Sequence, residues 1–217
     1  MKNLLKLLLS AITLFSITLS IAHAERYEVT VTNLSRGQIF SPLFLFTHKK
    51  NITLFTSGQP ASPELAALAQ DANTDDLTAL LSVSPSVNEI VHGTDVILPG
   101  KSETLIIHSS QQARHISIAS MLVSSNDAFM AVNKLKLPHR SSTILVPAYD
   151  AGAENNDESC DYVPGPPCGK HASSDVEGEG FVHIHSGIHG ISDLSAAQYD
   201  WRNPVAKISI RRVKKHY

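Results

Sequence analysis

Three acidic side chains lie in two short segments where they could hold a metal ion together. Asp127 ends the segment 123–127, and Asp150 and Glu154 lie within 148–154. Each segment closely follows a predicted strand, so the carboxylates can converge, and Ca²⁺ prefers several hard oxygen ligands on flexible loops. Loop acids also commonly face solvent or accept hydrogen bonds from turn backbones. The residues alone leave both interpretations open.

A histidine cluster gives a second candidate metal site. His183 and His185 share one face of a predicted strand, and a turn at Ser186 and Gly187 could bring His189 back toward them. Three imidazoles can hold zinc or copper, either in a metal carrier or in a metal-dependent hydrolase. Clustered histidines are also often buried hydrogen-bonding groups. The histidine site is therefore the alternative to the calcium site.

Common catalytic motifs are missing from the sequence. It has no Gly-x-Ser-x-Gly elbow, no phosphate-binding loop and no His-Glu-x-x-His. The single tryptophan, Trp201, precedes Arg202, and we expect it to pack against the last strand rather than to stack on the guanidinium. These observations favour a binding protein over an enzyme.

The N-terminus predicts a cleavable signal peptide, residues 1–24. Two lysines precede an apolar stretch over residues 7–21, and Ala22-His23-Ala24 has the small-x-small pattern that signal peptidase accepts. Serines and threonines interrupt the stretch and it is short for a membrane span, so we do not expect an integral membrane protein. Cleavage after Ala24 would leave a single domain, 25–217, in the periplasm or outside the cell.

Charge and cysteine content agree with export. The chain has 18 basic and 20 acidic residues. It therefore lacks the excess of basic residues that is typical of a nucleic-acid-binding protein. Cys160 and Cys168 lie in a polar segment rich in proline and glycine, and two nearby thiols pair in an oxidising compartment. They lack the C-x-x-C spacing of a metal or redox pair. We predict a disulfide that ties a long surface loop, residues 151–179.

Alternation of apolar and polar residues predicts a mainly β protein. Tyr27, Val29 and Val31 lie on one face of the first strand, with polar residues between them. Many short strands separated by turn signals are typical of an antiparallel β-sandwich. The predicted strands cover residues 27–32, 43–47, 95–98, 103–108, 116–123, 143–146, 180–185 and 205–213.

Two short helices interrupt the strand pattern between residues 62 and 81. The first begins with Ser62 as N-cap, Pro63 at the first helical position and an acid in the first turn, and the second begins at Thr74. Leucines follow both starts at helical spacing. We expect these apolar faces to cover one end of the sandwich.

Several motifs, in the right order, resemble the spondin domain, the N-terminal-type domain of F-spondin and mindin that also occurs in bacterial secreted proteins. They are residues 120–129, the Tyr149-Asp150-Ala151-Gly152 turn and residues 201–208. Two further stretches, 58–69 and 178–190, resemble the bacterial branch in particular. The resemblance extends over residues 26–213.

The resemblance implies a β-sandwich with a calcium ion held by acidic loop residues, and a role in extracellular recognition or adhesion. Asp127 and Asp150 match acidic positions of the animal pattern, whereas Glu154 replaces an aspartate and reaches one methylene farther. The family also draws an acid from an upstream strand, where Glu103 is the acid available. The resemblance thus implies a secreted or periplasmic calcium-binding module that recognises an unidentified cell-surface or matrix component.

Overall fold

Two antiparallel sheets form most of the structure. The computed structural model describes residues 24–169 and 178–214. Its strands are β1 (Glu25–Asn33), β2 (Phe44–His48), β3 (Val87–His92), β4 (Ser102–Ser109), β5 (His115–Met121), β6 (Ala128–Lys136), β7 (Ser141–Val146), β8 (Ala148–Asp150), β9 (His183–Ile184) and β10 (Ala206–Val213). One sheet has the order β4-β1-β10-β7 and the other β3-β2-β5-β6-β8-β9.

The core lies between the two sheets. Tyr27, Val29 and Val31 of β1 are fully buried, as the alternation predicted. They belong to the same apolar cluster as Ile118 of β5 and Met130 of β6, which are in the other sheet. Complete burial of one such side chain stabilises the fold by about 1.5–3 kcal/mol. The mainly β fold with two antiparallel sheets is confirmed, and the shared core packs them as a sandwich.

The two predicted helices are also confirmed. They are α1 (Pro63–Asp71) and α2 (Asp75–Ser82), and a short third helix, α3, covers Ala196–Tyr199. The Ser62 hydroxyl accepts a hydrogen bond from the backbone N–H of Leu65 at 3.3 Å, so Ser62 caps α1 as predicted.

The helices cover a face of the structure and not one end of it. Leu65 and Leu68 of α1 lie in a second apolar cluster with Phe44 and Phe46 of β2, whereas Leu45, between them, lies in the sandwich core. Strand β2 is therefore buried on both faces. The prediction was wrong about the position because helical spacing identifies an apolar face without identifying the surface that it contacts.

Most predicted strands are confirmed, but one is absent, one is shortened, and three observed strands were not predicted. Residues 95–98 do not form a strand, although Ile97 makes an isolated bridge to Phe40. The last strand before α3 is reduced to His183–Ile184. Strands β3, β6 and β8 were not predicted. The first five residues of β6 are buried on both sides and show no alternation.

The disulfide between Cys160 and Cys168 is confirmed, with the two Cα atoms 4.9 Å apart. The loop that it closes is attached to the segment before β6. The Gly165 N–H donates to the Val123 carbonyl at 2.7 Å, and the Ser124 hydroxyl donates to the Pro166 carbonyl at 2.6 Å. The disulfide loop therefore supports the segment that leads to Asp127.

The predicted signal peptide lies outside the described residues, except for Ala24. Within residues 24–169 and 178–214, no helix combines the length and apolar character needed to cross a bilayer.

Candidate metal site

The three predicted calcium ligands are all buried near one end of the β6–β8 pair. Asp127 immediately precedes β6, Asp150 is the last residue of β8, and Glu154 follows four residues later. Antiparallel pairing places Ala128 opposite Asp150, so Asp127 and Asp150 come to the same end of the sheet. The exposed fractions of Asp127, Asp150 and Glu154 are 0%, 1% and 1%.

Asp127 is held by the loop that follows β8. Its Oδ2 accepts the backbone N–H groups of Ala153 at 2.7 Å and Glu154 at 3.1 Å. Its Oδ1 is buried and has no hydrogen-bond partner among the described residues. A buried oxygen without a hydrogen-bond partner destabilises the folded state unless another group, such as a cation, interacts with it.

Asp150 is oriented by two donors. Its Oδ1 accepts the Gly152 N–H at 2.7 Å, and its Oδ2 accepts Nδ2 of Asn156 at 2.6 Å. Gly152 has φ +66°, and a Cβ atom there would come within 2.5 Å of the Phe181 backbone. Glycine is therefore required at the turn that presents its N–H to Asp150.

Burial and repulsion by neighbouring carboxylates raise the pKa values of Asp127 and Asp150. Burial first, and then the charge of Asp150, raise the pKa of Asp127 to about 8 despite its two backbone hydrogen bonds. Burial also raises the pKa of Asp150, the charge of Glu179 adds to this, and the hydrogen bond from Asn156 opposes it. A bound divalent cation would favour the ionised forms and reverse both shifts.

The closest set of metal-ligand atoms differs from the predicted carboxylate set. Among the residues that the structure describes, the group whose ligand atoms all lie within 4.8 Å of one another consists of Asp150, Glu179 and His183. Sequence reasoning missed Glu179, which lies at the end of the long loop. The signal for it was its proximity to His183 within the stretch 178–190.

The three predicted histidines have different surroundings. The Nε2 atoms of His183 and His185 lie 3.9 Å and 3.6 Å from Oδ2 of Asp150. His189 is directed elsewhere, with its Nε2 3.0 Å from the Ser186 hydroxyl. The structure thus brings two of the three histidines to Asp150.

His185 is a buried hydrogen-bonding group. Its Nδ1 accepts the Gly187 N–H at 2.9 Å, which leaves the proton on Nε2, and Nε2 donates to Oδ1 of Asn156 at 3.0 Å. Burial, with smaller contributions from the charges of His183 and His189, lowers the pKa of His185 to about 3. The ring is therefore neutral at physiological pH, and both of its nitrogens are engaged.

Two other predicted residues lie outside this arrangement. Glu103 belongs to β4 in the four-stranded sheet, and its Oε1 accepts the Thr94 N–H at 3.1 Å. Trp201 is buried and packs against His185, with ring centroids 4.8 Å apart, and Arg202 pairs with Asp200. The prediction that Trp201 serves in packing agrees with this position.

A comparison with protein families gives one match. The family model described as Spondin_N covers residues 14–159, well over half of the 217 residues. The matched range includes Asp127, Asp150 and Glu154 and ends before Glu179 and His183. No curated protein matches the chain.

Proposed function

Because the chain belongs to the Spondin_N family, we propose that it is an exported, calcium-binding recognition module. The family consists of non-enzymatic modules of the extracellular type. The disulfide between Cys160 and Cys168 also fits an oxidising compartment. The stretches 58–69 and 178–190, which resemble the bacterial branch, favour a bacterial protein that acts in the periplasm or outside the cell.

The observation that supports calcium most strongly is the buried Oδ1 of Asp127, which accepts no hydrogen bond from the described residues. Asp150 and Glu154 are buried nearby, and the charge of each raises the pKa of Asp127. Oxygen ligands on loops suit a hard cation that accepts irregular coordination, which describes Ca²⁺ better than Mg²⁺. Backbone carbonyls and water would complete the six to eight oxygens that Ca²⁺ takes.

Calcium at this position would connect the segment before β6 with the loop after β8. Both segments are irregular, and loops on a rigid β scaffold commonly carry recognition. The ion would neutralise the carboxylates and fix the loop surface that meets a cell-surface or matrix component. In this proposal the ion stabilises the loops, and the loops contact the cell-surface or matrix component.

Thermal unfolding of chelator-treated protein, with and without millimolar calcium, tests the proposal. Extracellular calcium modules bind with dissociation constants of about 10⁻⁴ to 10⁻³ M. At a free calcium concentration 100 times the dissociation constant, binding to the folded state adds about 2.7 kcal/mol of stability. We expect a clear rise in the melting temperature of the wild-type protein.

Asp127→Asn should abolish most of this rise, because it removes the charge of one ligand. Its metal-free melting temperature should equal or exceed that of the wild type, since repulsion with Asp150 is relieved. Asp76→Asn, the same change on an exposed helix residue, is the matched control and should respond to calcium as the wild type does. If the wild-type protein melts at the same temperature with and without calcium, the proposal is refuted.

The three-histidine alternative, a zinc or copper carrier or a metal-dependent hydrolase, has less support. A site made of His183, His185 and His189 would require His185 to give up the hydrogen bonds that occupy both of its ring nitrogens. Elemental analysis of protein purified without chelator distinguishes the two functions. We expect calcium, whereas stoichiometric zinc or copper that depends on all three histidines would favour the alternative.

A further inference from the structure

His183 presents a lone pair to two carboxylates. Its Nδ1 lies 3.2 Å from the Phe181 carbonyl oxygen, which can only accept, so Nδ1 carries a proton and, in the neutral ring, Nε2 has the lone pair. Nε2 faces Oδ2 of Asp150 at 3.9 Å, and Glu179 supplies a third ligand atom within 4.8 Å of both. In the neutral ring this lone pair and the carboxylate oxygens repel one another, and either a proton or a metal ion between them removes the repulsion.

The spacing of these atoms suits a small cation. Two ligands about 2.1 Å from a tetrahedral zinc ion lie about 3.4 Å apart. The 3.9 Å between His183 and Asp150 is slightly longer, so a small side-chain rotation would close it. The backbone carbonyl on Nδ1 is also the outer partner that metal-bound histidines commonly have.

A chain of hydrogen bonds positions both carboxylates. Nδ2 of Asn156 donates to Oδ2 of Asp150 at 2.6 Å and to Oε1 of Glu179 at 3.1 Å. The orientation of this amide is fixed because Oδ1 of Asn156 accepts the Nε2 proton of His185, and His185 is itself oriented by the Gly187 N–H. His185 and Asn156 are therefore positioning residues, and neither has to be a ligand.

We propose that Asp150, Glu179 and His183 bind a divalent transition metal of the zinc class, with the fourth position open to water or to a donor from a partner. An imidazole nitrogen with two carboxylates is a donor set for zinc, whereas calcium takes oxygen ligands. Glu179 is exposed and 30% of the His183 side chain is accessible, so the ion can enter from solvent. The site shares Asp150 with the calcium set and does not rest on the proposed function.

Calorimetric titration of chelator-treated, calcium-free protein with Zn²⁺ tests this site. We expect one zinc ion per chain in the wild type. Glu179→Gln and His183→Ala should each lower the affinity by at least about 100-fold, more than the loss of an outer hydrogen-bond partner usually costs. Both side chains are at least partly exposed, so both variants should keep the wild-type melting temperature.

His189→Ala is the matched control, because it removes an exposed histidine from the same segment. Under the proposal it leaves zinc affinity unchanged. Loss of zinc binding in His189→Ala, or unchanged binding in Glu179→Gln and His183→Ala, would overturn the proposal.

Nitrogen NMR of the wild-type protein gives an answer that does not depend on any variant folding. On zinc addition, the Nε2 resonance of His183 should move, while its Nδ1 keeps the proton. A shift confined to the rings of His185 and His189 would overturn the proposal.

One further variant separates this site from the calcium site. Asp127→Asn should keep zinc binding and lose the thermal response to calcium. If the wild type binds zinc but calcium does not change its melting temperature, the proposed function is refuted and the zinc site is supported. If calcium raises the melting temperature and no zinc binds, the zinc site is refuted and the proposed function is supported.

Discussion

Asp127 is fully buried and lies near the negatively charged Asp150, and both features raise its pKa. In the folded, metal-free protein, burial and the Asp150 carboxylate raise its pKa from 3.8 to about 8. In the unfolded chain it should titrate near the ordinary aspartate value, about 3.9. The folded state therefore holds a proton over a pH range in which the unfolded chain has released it.

This difference predicts a pH-dependent stability. Between about pH 4 and pH 8 the folded state binds more protons than the unfolded state, so the free energy of unfolding of the metal-free protein should fall as pH rises. The raised pKa of Asp150 acts in the same direction. Calcium needs ionised ligands, so it should raise the melting temperature more at about pH 8 than at about pH 5.

Chemical denaturation across this pH range, with and without calcium, measures both effects. Asp127→Asn removes the titrating group and should flatten the pH dependence of the metal-free protein. An identical slope in the wild type and in Asp127→Asn would show that other groups cause it.

Residue patterns identified part of the site. Asp127 and Asp150 were found because a family motif and the ends of neighbouring strands coincide at them. Asn156 and Glu179 were missed, because their contacts join positions 23 residues apart within an irregular loop. No periodicity governs such a loop, so the sequence gives no register for it.

At the scale of elements, Glu158 attaches the long loop to the segment 189–191. Its exposed fraction is only 2%, and its carboxylate accepts the backbone N–H groups of His189, Gly190 and Ile191 at 2.5, 2.7 and 2.9 Å. Its backbone has φ +57°, a conformation that is unfavourable for a residue with a side chain. The hydrogen bonds must compensate for this backbone conformation.

Glu158→Ala should therefore lower the free energy of unfolding by about 3 kcal/mol, since it removes three hydrogen bonds from backbone donors to a charged, buried carboxylate. Urea denaturation measures the change. Glu158→Gln keeps the size but only one acceptor oxygen, and it should fall between Glu158→Ala and the wild type. A Glu158→Ala variant as stable as the wild type would mean that water replaces the carboxylate at no cost.

Strands were predictable where one face is buried. Strand β1 alternates cleanly, and its boundaries were predicted to within two residues. Strands β2 and β6 are buried on both faces because α1 and α2 cover the outer face of their sheet. The short apolar run of β2 was recognised, but the start of β6 is equally compatible with a buried helix, and the pattern cannot distinguish them.

At the scale of the molecule, the two sheets have different roles. The four-stranded sheet contains β1 and β10 and closes the core. The six-stranded sheet has the sandwich core on one face and helices on the other, and its strands β6, β8 and β9 hold Asp127, Asp150 and His183 at or beside their ends. The rigid, doubly covered sheet thus fixes the strand ends, and the irregular loops complete the candidate metal sites.

Export and disulfide formation together predict one mass for the mature protein. Signal peptidase should cleave after Ala24, and the oxidising compartment should join Cys160 to Cys168. The intact mass of the exported protein should therefore equal that of residues 25–217 less two hydrogen atoms. Thiol labelling of the denatured, unreduced protein should find no reactive cysteine, and labelling after reduction should find both. A protein that retains residues 1–24, or that has two reactive thiols before reduction, would contradict the predicted export and the oxidising compartment in which the recognition loops are proposed to act.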